Sequence, residues 1–203
     1  EMDKYFEEKG VIRLVKGEPN FYNFFTTEKS GAIGSIPELK GKKLRITESP
    51  MLKTFMEKAG GVPTPMPWGE IYTSLQRNVI DGTIGNLIWS VAAKFHEVAT
   101  VIDQVNVQYT PSDWFMSKKA WDQMPKDLQD IILETIPEIQ EFAQNNWMQE
   151  EEKNREELTA EGVNIIVPTL EEQKQWSSEC YPLWKDYAVA TWGQEIVGTY
   201  KPD

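Results

Sequence analysis

One cysteine and one histidine are all that this chain of 203 residues contains. Cys180 has no second thiol for an internal disulfide, and no cysteine-based metal site can be assembled around it. His96 is the sole imidazole, so Ser-His-Asp chemistry would have to run through it. It stands between Phe95 and Glu97 in a polar helical stretch, where a surface or hydrogen-bonding histidine is the plainer reading. No apolar run approaches the ~20 residues that span a bilayer. Glycine-rich phosphate loops, internal repeats and low-complexity tracts are all missing. Positive charge is short: 21 Lys and Arg against 32 Asp and Glu leave a net charge of −11. That balance argues against nucleic acid as a partner and against an anionic membrane surface, and it suits simple solubility. The carboxylates are scattered, with no pair marked out as acid and base. No catalytic residue, metal site or cofactor is expected.

What is present is an ordinary globular composition, 40% hydrophobic and 26% charged, in a length that makes one sizeable domain or two small lobes. The stretch from Gly41 to Phe95 organises it. Lys43-Leu44-Arg45-Ile46 reads as a short strand with one arginine among apolar neighbours. Ser49-Pro50 opens a helix, with serine as the cap and proline preset for the first turn, and Gly60-Gly61 closes it. Val62-Pro63-Thr64-Pro65-Met66-Pro67-Trp68 is proline-dense and extended. Glu70 to Asn78 is expected to be helical, with Ile71, Leu75 and Val79 on one face. Asp81-Gly82 breaks it, and Thr83-Ile84 begins the next strand. Alternating strands and helices predict an α/β fold with parallel pairing of neighbouring strands. Ser90 to Val98 reads as a further helix.

Before that stretch, Glu1 to Gly10 is a charged helix end, Val11 to Val15 a strand interrupted by Arg13, and Asn20 to Thr27 an aromatic strand. Glu1 to Gly10 holds no leader pattern; if the protein is exported, its signal peptide stands outside these residues. After it, Asn106 to Tyr109 and Trp114 to Ser117 are strands and Lys118 to Gln123 is a short helix. Lys126 to Glu161 is a long helix with an apolar stripe of Leu128, Ile131, Ile132, Ile136 and Ile139. Pro137 lies inside that helix and costs about 3 kcal/mol there, which predicts a kink or a break. Val163 to Val167 is a strand. Thr169-Leu170-Glu171-Glu172 is a capping box that starts a last helix, which Trp176, Leu183, Trp184 and Tyr187 would pack onto the body.

The segments "SIPELKGKKLRI", "PTPMPWGEIYTSLQRNVIDG" and "AAKFHEV", in that order and spacing, resemble the solute-binding subunit of tripartite ATP-independent periplasmic (TRAP) transporters, of the dicarboxylate-binding type. The resemblance implies a two-lobe periplasmic-binding-protein-like architecture. It would assign residues 1–24 to the first lobe and 25–104 to the second. Residues 105–203 would carry the hinge return, the long helix and the rest of the first lobe. Because the likeness begins partway along the family's length, the second lobe is expected to be complete and the first incomplete. The resulting exposed sheet edge would invite a dimer. The implied function is periplasmic capture of a small organic acid for delivery to TRAP membrane permease subunits. A small α/β hydrolase or a protein-interaction module remain the competing readings.

Arg45 is the leading site candidate. A charge between Leu44 and Ile46 is costly without a partner. From the residues alone, a strand-edge arginine paired with a local Asp or Glu would satisfy it. The resemblance implies instead that Arg45 grips the ligand carboxylate with both arms of its planar fork. Trp68 falls where the family places an aromatic in the cleft, though a core tryptophan would read the same way. Gly85 falls where many members carry a ligand-binding asparagine; here the asparagine is Asn86, one residue on and so on the opposite strand face. Phe25 falls where some members have a second arginine. Trp89 either closes the pocket or packs its helix.

Overall fold

The computed structural model describes residues 2–17 and 19–198. In chain order the elements are α1 (Met2–Glu8), β1 (Val11–Val15), β2 (Pro19–Thr26), β3 (Lys43–Ile46), α2 (Pro50–Lys58), β4 (Val62–Pro65), α3 (Ile71–Gln76) and β5 (Gly82–Asn86). There follow α4 (Leu87–Ala92), β6 (Val101–Pro111), β7 (Trp114–Ser117), α5 (Lys118–Asp122), α6 (Lys126–Ala160), β8 (Asn164–Ile166), α7 (Leu170–Trp192) and α8 (Gln194–Val197). The expected α/β class is what forms. The chain divides into two compact units, one of residues 1–21 and 109–153, the other of residues 22–108 and 154–203.

The larger unit is a six-stranded sheet in the order β4-β3-β5-β2-β6-β8. As the strand–helix alternation predicts, β3 pairs in parallel with both β4 and β5. β2 inserts antiparallel to β5, with Phe25 opposite Thr83 and Tyr22 opposite Asn86. Gly82 permits that approach, since a Cβ there would meet the Phe25 carbonyl oxygen at 2.5 Å. Side chains alternate between two cores. On one face Phe24, Leu44, Ile46 and Ile84 pack with Leu52, Phe55 and Met56 of α2 and with Trp176 and Cys180 of α7. On the other, Phe25 packs with Ile71, Leu75, Leu87, Phe95, Ile102 and Leu158. Burial pushes the Cys180 thiol up to about 12, so this cysteine is an inert core residue.

Local signals behave as the sequence predicts at the caps. The Ser49 side chain accepts from the Leu52 amide, and Thr169 and Glu172 form the capping box of α7. Three expectations change. Val79 is 54% exposed because α3 stops at Gln76 and Asn78 adopts φ 55°. The helix expected from Ser90 starts at Leu87 instead, capped by Asn86, and gives way at Lys94 (φ 61°) to a short 3-10 turn. α6 is one helix through Pro137, so of the two outcomes expected there the break does not form. Of the segment 105–203, about half groups with the larger unit, where Trp176 and Cys180 sit in a core with Phe24 and Leu44.

The smaller unit holds the antiparallel pair β1–β7, with α1, α5 and most of α6. Arg13, which interrupts the apolar pattern of β1, is clamped between Asp3 (2.6 Å) and Asp113 (2.9 Å). The Gly17 amide donates to the other Asp113 oxygen at 3.0 Å. Burial pushes the Asp113 carboxyl up, but the hydrogen bonds from Arg13 and Gly17, with the Arg13 charge, outweigh it and hold the group below its ordinary range. Phe6 meets Phe115 edge-on at 4.7 Å beside this clamp. The α6 stripe is only partly covered within the unit: Ile132, Ile136 and Ile139 are half-buried, whereas Leu128 and Ile131 are exposed.

Candidate functional site

The carboxyl end of β5 and the α4 that follows it, the turn after β4 and Tyr22 of β2 frame a pocket of about 490 Å³ lined by Tyr22, Trp68, Asn86, Trp89, Ala92 and Ala93. In open α/β sheets, ligands sit beyond the carboxyl ends of the parallel strands, and the volume suits a small organic molecule.

Each wall has a local cause. Pro65 and Pro67 keep the chain extended out of β4 and release Trp68 at the head of a 3-10 turn that leads into α3. The Trp68 indole leans on the buried Phe95 ring, centroids 4.8 Å apart, yet remains 41% exposed. Asn86 ends β5 and caps α4, its Oδ1 accepting from the Trp89 amide at 3.1 Å. The same cap carries Trp89 to the pocket, 57% exposed. Tyr22 arrives from β2, opposite Asn86.

Arg45 lies immediately behind this wall, its guanidinium carbon 5.8 Å from the Trp68 ring centroid. The residue is 5% exposed. It is on an interior strand, flanked by Thr64 of β4 and Thr83 of β5, so the strand-edge pairing open from sequence is not what forms. Its Nε donates to the Met66 carbonyl at 3.1 Å. Among the described residues no carboxylate pairs with it. Ser90 Oγ, His96 Nδ1, Asp103 Oδ1 and Trp147 Nε1 are the sealed polar side-chain atoms without a partner there. The terminal nitrogens of Arg45 are not among them, so they keep access to solvent. Burial draws the Arg45 pKa down, opposed by the Tyr22 phenol, but guanidinium stays charged in proteins.

Of the residues expected at the site, the structure brings together Trp68, Asn86 and Trp89, with Arg45 behind Trp68. Phe25 and Gly85 are not among the lining residues. Phe25 is 0% exposed in the core that contains Phe95. A Cβ on Gly85 would stand 2.5 Å from Ser90 Oγ and 3.7 Å from the Phe25 ring, so Gly85 is a packing position between β5 and α4. Tyr22, Ala92 and Ala93 were not singled out from sequence. The antiparallel insertion of β2 is what puts Tyr22 beside Asn86, and no local pattern announces it. His96 lies 3.9 Å from Glu161, outside the pocket lining.

A sheet with helices on both faces carries this pocket at its strand ends, with a buried arginine behind the Trp68 wall. The chain belongs to the family described as bacterial extracellular solute-binding protein, family 7, whose sequence model matches residues 1–190. It is 26% identical over 171 residues to the sialic acid-binding periplasmic protein SiaP of Vibrio cholerae, across 84% of this chain and 52% of that protein. Among solved structures, a TRAP periplasmic solute-binding protein of Chromohalobacter salexigens with bound D-glucuronate superposes with a TM-score of 0.87 at 19% identity, over 98% of this chain and 64% of that one. Another, from a Sulfitobacter species with bound β-D-galacturonate, gives 0.86 at 21% identity, over 97% and 64%. At such identities the structural likeness shows the fold alone. The chain spans about half the length of the curated relative named here. Pairing of two copies through a sheet edge finds no support in these relatives.

Proposed function

We propose that this chain is part of an extracytoplasmic, periplasmic solute-binding protein that captures a small organic acid and presents it to TRAP membrane permease subunits. It binds and does not catalyse. The observation that carries the reading is Arg45: 5% exposed, bonded among the described residues only through Nε to a backbone carbonyl, and standing against the Trp68 wall. A ligand carboxylate supplies the counter-charge that the protein withholds. Its two oxygens match the two free arms of the guanidinium, and the low-dielectric surroundings strengthen the pair relative to water. Trp68, Asn86 and Trp89 form the wall against which the rest of the ligand lies. The hydrolase and interaction-module readings lack any comparable feature; the relatives' names speak for binding.

A thermal-shift screen of organic acids, run on this chain and on Arg45→Met, tests the proposal. Binding to the folded state alone raises the melting temperature by mass action. At least one acid should stabilise the wild type, and Arg45→Met should erase that shift while melting close to wild type without ligand. An acid that stabilises both proteins equally removes Arg45 from the site. Recovery of the acid unchanged after incubation separates a binder from a hydrolase.

A further inference from the structure

Resting on the carboxylate reading, we infer that the body of the ligand is a flat apolar ring: the pocket takes an aromatic monocarboxylate in preference to a sugar acid. Two indoles line the same pocket, and they are 41% and 57% exposed. Large apolar faces left open to water gain most when a flat apolar partner covers them. The Tyr22 ring joins them, and Ala92 and Ala93 complete the lining with methyl groups. The polar atoms nearby are largely committed. Asn86 Oδ1 is held by the Trp89 amide, and Arg45 Nε by the Met66 carbonyl. Phe25 and Gly85 add no polar arm: Phe25 is 0% exposed and the Gly85 Cβ position is blocked at 2.5 Å by Ser90 Oγ.

A hexuronate brings several hydroxyls besides its carboxylate, and each needs a partner once water is excluded. This wall offers them indole and methyl surface instead. An aromatic acid needs one ion pair and stacking. Arg45 lies over the Trp68 ring, so the same indole that stacks on the ligand also faces the cation that holds its carboxylate.

The test is isothermal titration of the 203-residue chain with phenylacetate, indole-3-carboxylate, D-glucuronate, D-galacturonate and the uncharged control benzyl alcohol. Circular dichroism confirms the fold of each variant. The aromatic acids should bind at least tenfold tighter than either uronate. Trp89→Ala, at an exposed position that folding tolerates, should weaken the aromatic acids about tenfold and leave the uronates within twofold. Arg45→Met should weaken every acid. Uronates that bind tighter than the aromatic acids, with both lost in Arg45→Met, overturn the ring inference and leave the carboxylate reading standing. Benzyl alcohol binding as tightly as phenylacetate, indifference to Arg45→Met, or no binding of any acid overturns the carboxylate reading and the ring inference with it.

Discussion

Gly85 and Ser90 form a coupled pair whose energetics can be worked out from the contacts. Gly85→Ala places a methyl group 2.5 Å from Ser90 Oγ, while the next nearest atoms, in the Phe25 ring, are at a comfortable 3.7 Å. Overpacking of this kind costs about 1–3 kcal/mol. Against it, alanine narrows the unfolded ensemble and returns about 0.4–1 kcal/mol. The net expectation is a loss of roughly 1–2 kcal/mol, which for a protein of this size lowers the melting temperature by a few degrees. Ser90 Oγ is itself sealed and without a partner, so Ser90→Ala removes an unmet polar group and should stabilise by about 1 kcal/mol. With the hydroxyl gone, the remaining contacts of an alanine at 85 start at 3.7 Å. Gly85→Ala should therefore be neutral or slightly stabilising in the Ser90→Ala background. Urea unfolding of all four proteins closes the double-mutant cycle, and a coupling of roughly 1–2 kcal/mol exceeds the 0.3–0.5 expected of independent sites. If Gly85→Ala costs the same with and without the serine hydroxyl, the clash is not the reason that position 85 is glycine.

Trp176→Ala should destabilise the chain by about 3–5 kcal/mol, read as a lower urea midpoint, because the ring is 5% exposed and meets Phe24 edge-on at 5.8 Å; a change below 1 kcal/mol would show that α7 is not anchored there. Asp103, 0% exposed, has its pKa raised chiefly by burial, with the Ile33 amide opposing. The native state thus holds this proton to higher pH than the unfolded chain, and wild-type stability falls as pH rises through the native pKa. Asp103→Asn carries no such charge and should gain on wild type in thermal melts as pH rises above the ordinary aspartate range; a gap that narrows with rising pH would refute the sign.

The parts of the fold that are written locally could be read directly. Ser49, Thr169 and Glu172 cap helices through bonds spanning three residues, and such bonds depend on nothing distant. Parallel pairing among β3, β4 and β5 follows from the strand–helix rhythm. Arg45 was legible because a lone cation between Leu44 and Ile46 is anomalous in any strand. What could not be read depends on registers set far away. Tyr22 reaches the pocket only through antiparallel insertion beside β5. Phe25 and Gly85 were expected at the pocket from the resemblance, yet the pleat carries Phe25 into the core and leaves Gly85 pressed against Ser90. Asn86 offered two meanings, strand end and helix cap, and it serves as both. The helical face expected to include Val79 fails because Asn78 adopts a left-handed conformation, which asparagine tolerates at small cost.

The core around Phe24 is closed by Trp176, roughly 150 residues later in the chain. Synthesis delivers about 5–20 residues per second, so the apolar face of β2, β3 and β5 waits on the order of ten seconds or more for its cover. Contacts of such long separation also slow the search for the native pairing. During that interval the nascent polypeptide displays Leu44, Ile46 and Ile84 as a sticky half-formed layer. Its fate before completion rests with whatever holds the emerging chain, and a truncation ahead of α7 should yield inclusion bodies rather than a smaller soluble protein.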